Sequence, residues 1–401
     1  AGPQARAVMS RRAARLAAAL LLAAATTGRP ATTAAAVAAA AAAAVAPDSL
    51  TSQAPPVLGR AFIVAAFDSL SGSWGIACAA PQLAVGARAA GADPAAGAFA
   101  SLGPGFPPLS AAARALEHGA PPESVLTQLV PVDSDREERL AIVVTLDGRV
   151  MGHAGSRLAA HSGTLARHHL ILGGMGLRGP ATLAAMADAF GTGEGALGAR
   201  LLDALEAGER AEGDPFAAKG TPDASASLLV VRAGAPSAEE ARVTDLRIDR
   251  DTDPIGSLRR LYTRHAETLL PASHVRFEDT ARRRGNEAAA AREHAAAEMG
   301  FRAAVARGPR DADALNELAW FLATRGGDAA EAERLAETAV TVRGDDPNLY
   351  DTLAEAAYRA GNLERAIQAA ERAAKLSRGN GRYEERLRAF RAARAALAPG
   401  R

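Results

Sequence analysis

The stretch RAFIVAAFDSLSGSWGIACAA, from Arg60 to Ala80, decides the fold of the first half of the chain. Two apolar runs, Ala61 to Phe67 and Trp74 to Ala79, flank the turn-forming segment Asp68 to Ser73, and this pattern predicts a buried β-hairpin. No side chain of the first run can ionise or attack a substrate. The stretch therefore predicts a well-structured opening segment that carries no reactive group.

Length and charge narrow the classes of function. The chain has 401 residues, enough for two or three domains with a substantial core. Its 46 basic and 45 acidic residues nearly cancel, and no basic stripe is interleaved with aromatic residues, so the composition argues against a nucleic-acid partner. The single cysteine, Cys78, lies in an apolar context that is typical of an inert buried side chain. No motif indicates a cofactor.

Residues 1–59 have the pattern of a signal peptide followed by an alanine-rich leader. The segment MSRRAARLAAALLLAAA begins at Met9 with three arginines and continues into a short apolar run, which is the order of a secretory signal. Sites of the A-x-A type follow between about Ala34 and Ala46. We therefore expect a secreted or periplasmic protein with no stable membrane span after cleavage. The alternative is a retained signal anchor, because the apolar run can be extended towards membrane length.

Residues 60–265 alternate between strand-like and helix-like patterns. The strand-like runs are AFIVAAF, GIACAA, LAIVVTL and SLLVVRA, and the helical patterns are LSAAARALEHG, PATLAAMADAFG and ALGARLLDALEAGE. This alternation predicts a layered domain of the α/β or α+β class. Residues 266–310 are predicted to be a linker with one connector helix, from about Thr280 to Arg307.

Residues 311–401 contain a repeat. Superimposing AEAERLAETAV on ERAIQAAERAA aligns Ala332 with Ala366 at an offset of 34, which is the tetratricopeptide period. The preceding helical patterns, LNELAWFLATRGG and LYDTLAEAAYRAG, correspond at an offset of 35. We expect antiparallel helix pairs whose helices end near Arg325, Arg343, Ala360 and Leu376, and a protein partner that binds these repeats. An ordinary helical bundle is the alternative.

Few side chains in the first domain form a recognisable catalytic or metal-binding pattern. Four histidines crowd into HAGSRLAAHSGTLARHH, at positions 153, 161, 168 and 169, but the window contains no carboxylate, so no metal site is predicted. The run GGMGLRGPATLAAM lacks the Lys-Ser/Thr of a phosphate-binding loop, although backbone amides at the start of its helix can bind an anion. The candidate ligand-binding residues are Gly173, Gly174, Gly176 and His153. A Ser–Lys dyad would need Lys219, which lies in a polar loop.

The order of several segments resembles the family called domain of unknown function 1028. These segments are FIVAAFDSLSGSWGIACAA, LAVGARAAGADPAAGAFASLGPGFPPL, DREERLAIVVTLDGRVMGHAG, GGMGLRGPATLAAMADAF and TDLRIDRDTDPIGSLRRLY. The resemblance covers about Arg60 to His265. It implies an N-terminal-nucleophile hydrolase-like fold, a four-layer αββα sandwich of the α+β class, followed here by all-α tetratricopeptide-like repeats. In that class a Thr, Ser or Cys at the processed chain start attacks an amide carbonyl, with its own α-amine as base.

The residues that the resemblance assigns to the pocket have lost their polar groups. The family commonly begins its first strand with Thr-Phe-Ser, where this chain has Ala61, Phe62 and Ile63. Polar residues that the family places elsewhere correspond here to Leu140, Gly174 and Ala224. Signal cleavage near Ala46 would also leave more than ten residues ahead of Ala61, with no free amine at the strand. The site is therefore predicted to be degenerate.

Two main functions follow, with a purely structural envelope protein as a further alternative. The first is an exported, catalytically degenerate domain of this fold that binds a ligand or partner and is coupled to a protein-binding repeat module. The alternative is an active amide hydrolase with a displaced nucleophile, for which the hydroxyl candidates are Ser69, Ser71, Ser73 and Ser101. A homo-oligomer is left open by the sequence.

Overall fold

The computed structural model describes residues 60–103, 121, 123–126, 133–213, 215–216, 224–235 and 237–397. The predicted signal peptide and leader, the helical pattern LSAAARALEHG and the loop around Lys219 lie outside these residues. Among the described helices, none combines the length and the apolar character that crossing a bilayer requires.

The described strands form two antiparallel sheets. The strands are β1 (Ala61–Asp68), β2 (Ser73–Ala80), β3 (Ala90–Asp93), β4 (Gly97–Leu102), β5 (Leu140–Val144), β6 (Val150–Ala154), β7 (Gly163–Arg167), β8 (Leu170–Met175), β9 (Ala224–Arg232) and β10 (Arg242–Asp251). The first sheet has the order β10-β9-β2-β1-β8-β7 and the second has the order β3-β4-β5-β6. β1 and β2 pair from Phe62 opposite Ala79 to Asp68 opposite Ser73, at the centre of the first sheet. The predicted hairpin is confirmed.

The described helices fall into a first group that covers the sheets and a second group that follows them. They are α1 (Val85–Arg88), α2 (Ala181–Thr192), α3 (Leu197–Glu212), α4 (Ala238–Ala241), α5 (Pro254–Thr268), α6 (Leu270–Arg283), α7 (Glu287–Arg307), α8 (Ala312–Arg325), α9 (Ala329–Val342), α10 (Pro347–Arg359), α11 (Leu363–Leu376) and α12 (Gly381–Leu397). The predicted helical patterns PATLAAMADAFG and ALGARLLDALEAGE correspond to α2 and α3.

β1 is buried on both faces, which explains its uninterrupted apolar sequence. Phe62 and Val64 belong to a core shared with α2, α3 and α5, whereas Ala61 and Ile63 belong to a core between the two sheets. A smaller cluster packs the helical segment 123–126 against the outer face of the second sheet. The order of layers is therefore helices, sheet, sheet and helical segment, and the predicted α+β class is confirmed.

The connector contains two helices where the sequence predicts one helix from about Thr280 to Arg307. α6 ends at Arg283 and α7 begins at Glu287. The break has a local cause, because Gly285 takes a left-handed conformation at φ 69°. The side chain of Asn286 then caps α7 by accepting a hydrogen bond from the Ala289 amide at 3.0 Å.

The repeat region consists of antiparallel helix pairs, as predicted. α8, α9, α10 and α11 end at Arg325, Val342, Arg359 and Leu376, each within one residue of the predicted end. Each of these helices begins with an Asp or Asn whose side chain accepts a backbone hydrogen bond, which fixes the helix starts. Small alanines such as Ala336 and Ala370 are fully buried or nearly so between the helices, and they allow close packing.

Candidate functional site

The positions at which the sequence resemblance predicts a nucleophile strand lie in an apolar layer between the sheets. Ala61, Ile63 and Leu140 are fully buried there. Gly173 lies opposite Ile63 on β8, and a Cβ atom built on it would lie 2.8 Å from Leu140 Cδ2 and 3.0 Å from Ile63 Cγ1. Gly173 therefore leaves room for the large apolar side chains of Ile63 and Leu140. Ala61, Ile63 and Leu140 offer no polar side-chain group.

Gly174 faces the other way. It pairs with Phe62, and a Cβ atom built on it would lie 2.5 Å from Leu177 Cδ1, on the helix-covered side of the sheet. The structure therefore does not bring Gly174 together with Ile63 and Leu140. Ala224, at the start of β9, is also buried in the helix-facing core.

Cys78 is the side chain of nucleophilic type that the structure brings beside Ile63. The two residues are paired across β1 and β2, and Cys78 belongs to the apolar layer between the sheets. Complete burial raises the pKa of its thiol to about 11, although a contact of 3.1 Å with the Ser227 hydroxyl acts in the opposite direction. The thiol therefore stays protonated and weakly reactive at neutral pH.

The anion-binding position predicted near the glycine-rich run is occupied by a carboxylate of the protein itself. Glu212, at the end of α3, is fully buried and accepts hydrogen bonds from the Arg178 amide at 2.9 and 3.0 Å and from the Thr182 hydroxyl at 2.5 Å. The Nε atom of Arg60 lies 2.9 Å from the same carboxylate. The amide of Gly176 is also engaged, since it donates to the Ser162 hydroxyl at 2.9 Å.

The histidines of the crowded window make separate local contacts. Nε2 of His153 on β6 lies 3.0 Å from the carbonyl oxygen of Arg136. The rings of His168 and His169 stack with their centroids 3.8 Å apart. Within the residues that the structure describes, no cluster of three or more His, Cys, Asp or Glu side chains is placed to hold a metal.

The four candidate serines lie away from Ala61. Ser69 and Ser71 occupy the turn after β1, about 25 Å along the strand from Ala61 at the usual rise per residue. Ser73 begins β2 near the same turn. Ser101 pairs with Ala141, which belongs to the cluster on the outer face of the second sheet, so Ser101 shares that outer face.

A cavity of about 510 Å³ lies beyond the hairpin turn, and no pattern in the sequence predicts it. It is bounded by the ends of β1, β2 and β9, by the first turn of α3 and by one face each of α5, α6 and α7. Ser71 and Ser73 line it, together with apolar side chains that include Tyr262, Phe277 and Met299. The contributing segments are far apart in the chain, and only the fold brings them together.

An ion-pair network closes one wall of this cavity. Nη1 of Arg232 donates to Glu293 Oε2 at 2.8 Å, and Nδ1 of His274 lies 2.9 Å from the same oxygen. Burial by itself would raise the pKa of Glu293, but the hydrogen bonds from His274 and Arg232 outweigh it and lower that pKa to about 2. The network joins β9 to α6 and α7.

A groove of about 590 Å³ runs between α6, α7 and α8. Phe301, Trp320 and Phe321 form its apolar wall, and Glu278 and Glu317 are among its acidic residues. Glu278 is fully buried, and its Oε2 atom has no hydrogen-bond partner in the described part of the chain. The groove therefore combines a half-buried tryptophan with acidic side chains, of which Glu278 is closed off and paired with Arg282 while Glu317 is exposed.

α7 also ties the sheets to the repeats. Its first half carries Glu293, which binds Arg232 of β9, and its second half carries Arg302, which binds Glu331 of α9 with N to O distances of 2.7 and 2.9 Å. A second link pairs Arg325 of α8 with Asp279 of α6. The connector is therefore packed firmly on both sides.

Comparison with known proteins finds a family match for the first half of the chain. Residues 61–258 match the model of the Family of unknown function (DUF1028). A DUF1028 protein of known structure from Silicibacter pomeroyi is 28% identical, and the match covers 53% of this chain and 94% of that chain with a TM-score of 0.46. No curated protein matches the chain.

Helical repeat proteins match the second half. The second tetratricopeptide domain of human RPAP3, solved in complex with the HSP70 peptide SGPTIEEVD, is 20% identical over 30% of this chain and 98% of that chain, with a TM-score of 0.24. A thermophilic tetratricopeptide protein from Thermus thermophilus is 15% identical over 52% of this chain and 97% of that chain, with a TM-score of 0.27.

Proposed function

Because residues 61–258 carry the DUF1028 domain and tetratricopeptide-like helices follow it, we propose that this protein is an exported, catalytically inactive hydrolase-like domain coupled to a peptide-binding module. In this proposal the first domain has the fold of N-terminal-nucleophile amide hydrolases without their catalytic side chains. Its present role is to bind a ligand and to support the helical module.

The proposed lack of catalytic activity is inferred from the apolar layer around Ala61. A Thr, Ser or Cys nucleophile needs a base and a polar surrounding for the oxyanion that it creates. Ala61, Ile63 and Leu140 provide neither, and the nearby Cys78 has its pKa raised to about 11 by burial. Arg60, which precedes the position of the nucleophile, binds the buried Glu212 through its side chain.

The export component depends on the sequence pattern of residues 1–59. Three arginines followed by an apolar run and by alanine-rich cleavage sites support it. Mass spectrometry of the mature chain tests this component. A mature chain beginning near Pro47 is expected, whereas a chain beginning at Ala61 would expose an α-amine at the first strand and contradict the inactivity.

The peptide-binding component is supported by the groove between α6, α7 and α8. Trp320, which is half-buried, offers apolar contact area, whereas Glu278 lies fully buried beneath the groove and is already paired with Arg282 at 2.7 Å. Glu317 adds an exposed carboxylate. A segment with an apolar residue next to an arginine or lysine suits this combination.

Selection of displayed random peptides against the full chain tests the groove. We expect enriched sequences with a basic residue beside an apolar one, and we expect Trp320→Ala to abolish the enrichment. Tyr358→Ala is the matched control, because Tyr358 is an exposed aromatic of the repeats that contacts the Phe390 ring and does not line the groove. Enrichment that survives Trp320→Ala would exclude the groove as the peptide site.

The alternative function, an active hydrolase with a displaced serine, is favoured by one observation. Ser71, Ser73 and His274 line the same cavity, and His274 is oriented by a carboxylate, Glu293. Treatment of the full chain with a β-lactone probe followed by peptide mass mapping separates the two functions. No adduct is expected, and an adduct on Ser71 or Ser73 would support the hydrolase.

A further inference from the structure

The cavity beyond the hairpin turn has the size and lining of a small-molecule site. Its volume of about 510 Å³ falls within the range of about 300–1,000 Å³ that is usual for ligand pockets. Most of its lining is apolar, with Leu197, Val230, Tyr262 and Phe277 as its larger members. Such a pocket favours a ligand with an apolar body, because transfer of that body from water is favourable.

Nearly all polar side chains that line the cavity already have a partner in the protein. Ser71 donates to Asp68 at 2.8 Å, and the Thr244 hydroxyl lies 3.1 Å from His265 Nε2. Arg232 and His274 both bind Glu293. The Ser273 hydroxyl donates to the carbonyl of Leu269, and Tyr262 is hydrogen-bonded to the backbone of Ala199. These groups are therefore not available as the main polar contact of a ligand.

Ser73 is the exception among the polar side chains that line the cavity in the described part of the chain. It is 4% exposed, and its hydroxyl makes no hydrogen bond there. Ser73 lies on the same face of β2 as Gly75, where a Cβ atom would lie 3.0 Å from Leu197 Cδ2, so its side chain is on the side of α3. A hydroxyl that lines a cavity and has no partner in the described part of the protein can bind a ligand atom there.

The first turn of α3 lies next to Ser73. α3 starts without a side-chain cap and without an acidic residue in its first turn, and residues 195–199 line the cavity. Helix starts leave backbone amides without intrahelical partners, and they favour an electron-rich oxygen. The hydroxyl of Ser73 and the amides of Leu197 and Gly198 thus line the same, otherwise apolar cavity, whereas the Ala199 amide is already bonded to the Ala196 carbonyl.

The pairing of the charged side chains around the cavity indicates whether the ligand is ionised or uncharged. The charged groups of this region compensate each other, since Arg232 and His274 bind Glu293, and Asp68 accepts from Ser71 and from the Leu70 amide. An ionised ligand group would meet no unpaired counter-ion among the described lining residues, and burial of an unpaired charge is costly. An uncharged oxygen meets no such penalty.

We propose that this cavity binds an uncharged apolar molecule that carries one carbonyl oxygen, with that oxygen at the Ser73 hydroxyl and the first turn of α3. The apolar body lies between Tyr262 and Phe277. Met299, which lines the cavity and is 67% exposed, marks the entrance. The site requires no catalytic step and is separate from the apolar layer around Ala61.

Prodan, an uncharged naphthalene with one ketone, is a suitable probe because its emission responds both to polarity and to hydrogen bonds at the ketone. Titration of the full chain with prodan is expected to give saturable, blue-shifted emission. Ser73→Ala should weaken binding about 3–10-fold, as loss of one neutral hydrogen bond does, and should shift the emission of the bound probe further to the blue.

Two further variants make the result decisive. Ser71→Ala removes a lining hydroxyl that is already paired with Asp68, so the affinity should stay within about twofold, as expected when no ligand hydrogen bond is lost. Ala296→Phe places a ring in the cavity and should abolish saturable binding. The proposal is wrong if prodan does not bind, if it binds equally well to Ala296→Phe, or if Ser73→Ala and Ser71→Ala behave alike.

Discussion

Arg60 and Glu212 form an ion pair in which the Nε atom of Arg60 lies 2.9 Å from a carboxylate oxygen that is fully buried. The pair joins the residue before β1 to the last residue of α3. The same carboxylate also accepts from the Arg178 amide and the Thr182 hydroxyl, so it holds three separate segments together.

Loss of the carboxylate should destabilise the fold strongly. Glu212→Ala leaves buried donors without an acceptor, and we expect a loss of about 3–5 kcal/mol in the free energy of unfolding. Arg60→Ala should cost about 1 kcal/mol, because Arg60 is partly exposed. Urea titration followed by circular dichroism measures both. Arg178→Ala keeps its backbone amide and serves as the control, and an equal effect of Glu212→Ala and Arg178→Ala would contradict the prediction.

Restoration of a hydroxyl at residue 61 should not restore catalysis. Ala61→Thr places a polar group in a fully apolar layer, and we expect about 1–3 kcal/mol of destabilisation with no hydrolysis of p-nitroanilide amides. A chain that begins with the substituted residue gains an α-amine but loses Arg60. Addition of Gly174→Asn should not help, because that side chain would meet Leu177 on the opposite face of β8. Turnover that depends on the new hydroxyl would overturn the degenerate-site interpretation.

The Glu293 network predicts a specific acid sensitivity. The folded-state pKa of Glu293 is about 2, below its ordinary 4.5, so the associated stabilisation of about 3 kcal/mol is present above pH 4.5 and is lost as the pH falls towards 2. Glu293→Gln should therefore be about 3 kcal/mol less stable than the unmodified protein at pH 7, and the difference should shrink across that window. Unfolding titrations at several pH values measure it. Glu298→Gln, on the same helix but in a partly exposed pair with Arg302, is expected to cost less than about 1 kcal/mol.

Cys78 should resist modification in the folded protein. With its pKa raised to about 11 and its side chain fully buried, it should not react with iodoacetamide at about pH 8 over hours, and it should react within minutes in denaturant. Intact mass spectrometry measures the modification. Labelling of the native protein at the rate of a free thiol would show that Cys78 is accessible and would reopen it as a nucleophile.

The sequence predicts elements well where apolar patterns are long and poorly where they are short. β1 and β2 follow from two uninterrupted apolar runs, and the repeat helices follow from the 34-residue offset. β3 and β8, by contrast, contain glycines that suggest loops. β8 needs a glycine at position 173 because the side chains of Ile63 and Leu140 occupy the space of a Cβ atom there. Both residues come from distant segments, so the local sequence does not indicate this requirement.

The candidate site was predicted only in part for the same reason. The positions that lack polar groups can be identified from sequence order, but the face on which each side chain lies depends on strand register, which separates Gly174 from Gly173. Nothing in the sequence around Gly176 indicates that the anion position is filled, because Glu212 is 36 residues further along the chain. The cavity at Ser73 is formed by residues of the hairpin and of α3, α5, α6 and α7, and no local sequence pattern predicts it.

α7 stands between two concave features of the molecule. Ala296 and Met299 line the cavity at the sheet, and Phe301 lines the groove at the repeats. Its 21 residues form a helix about 30 Å long. Glu293 in its first half binds Arg232, and Arg302 in its second half binds Glu331. Because α7 forms one wall of each opening, any displacement of this helix would change the width of both, and a coupling between two occupants would then act equally in both directions.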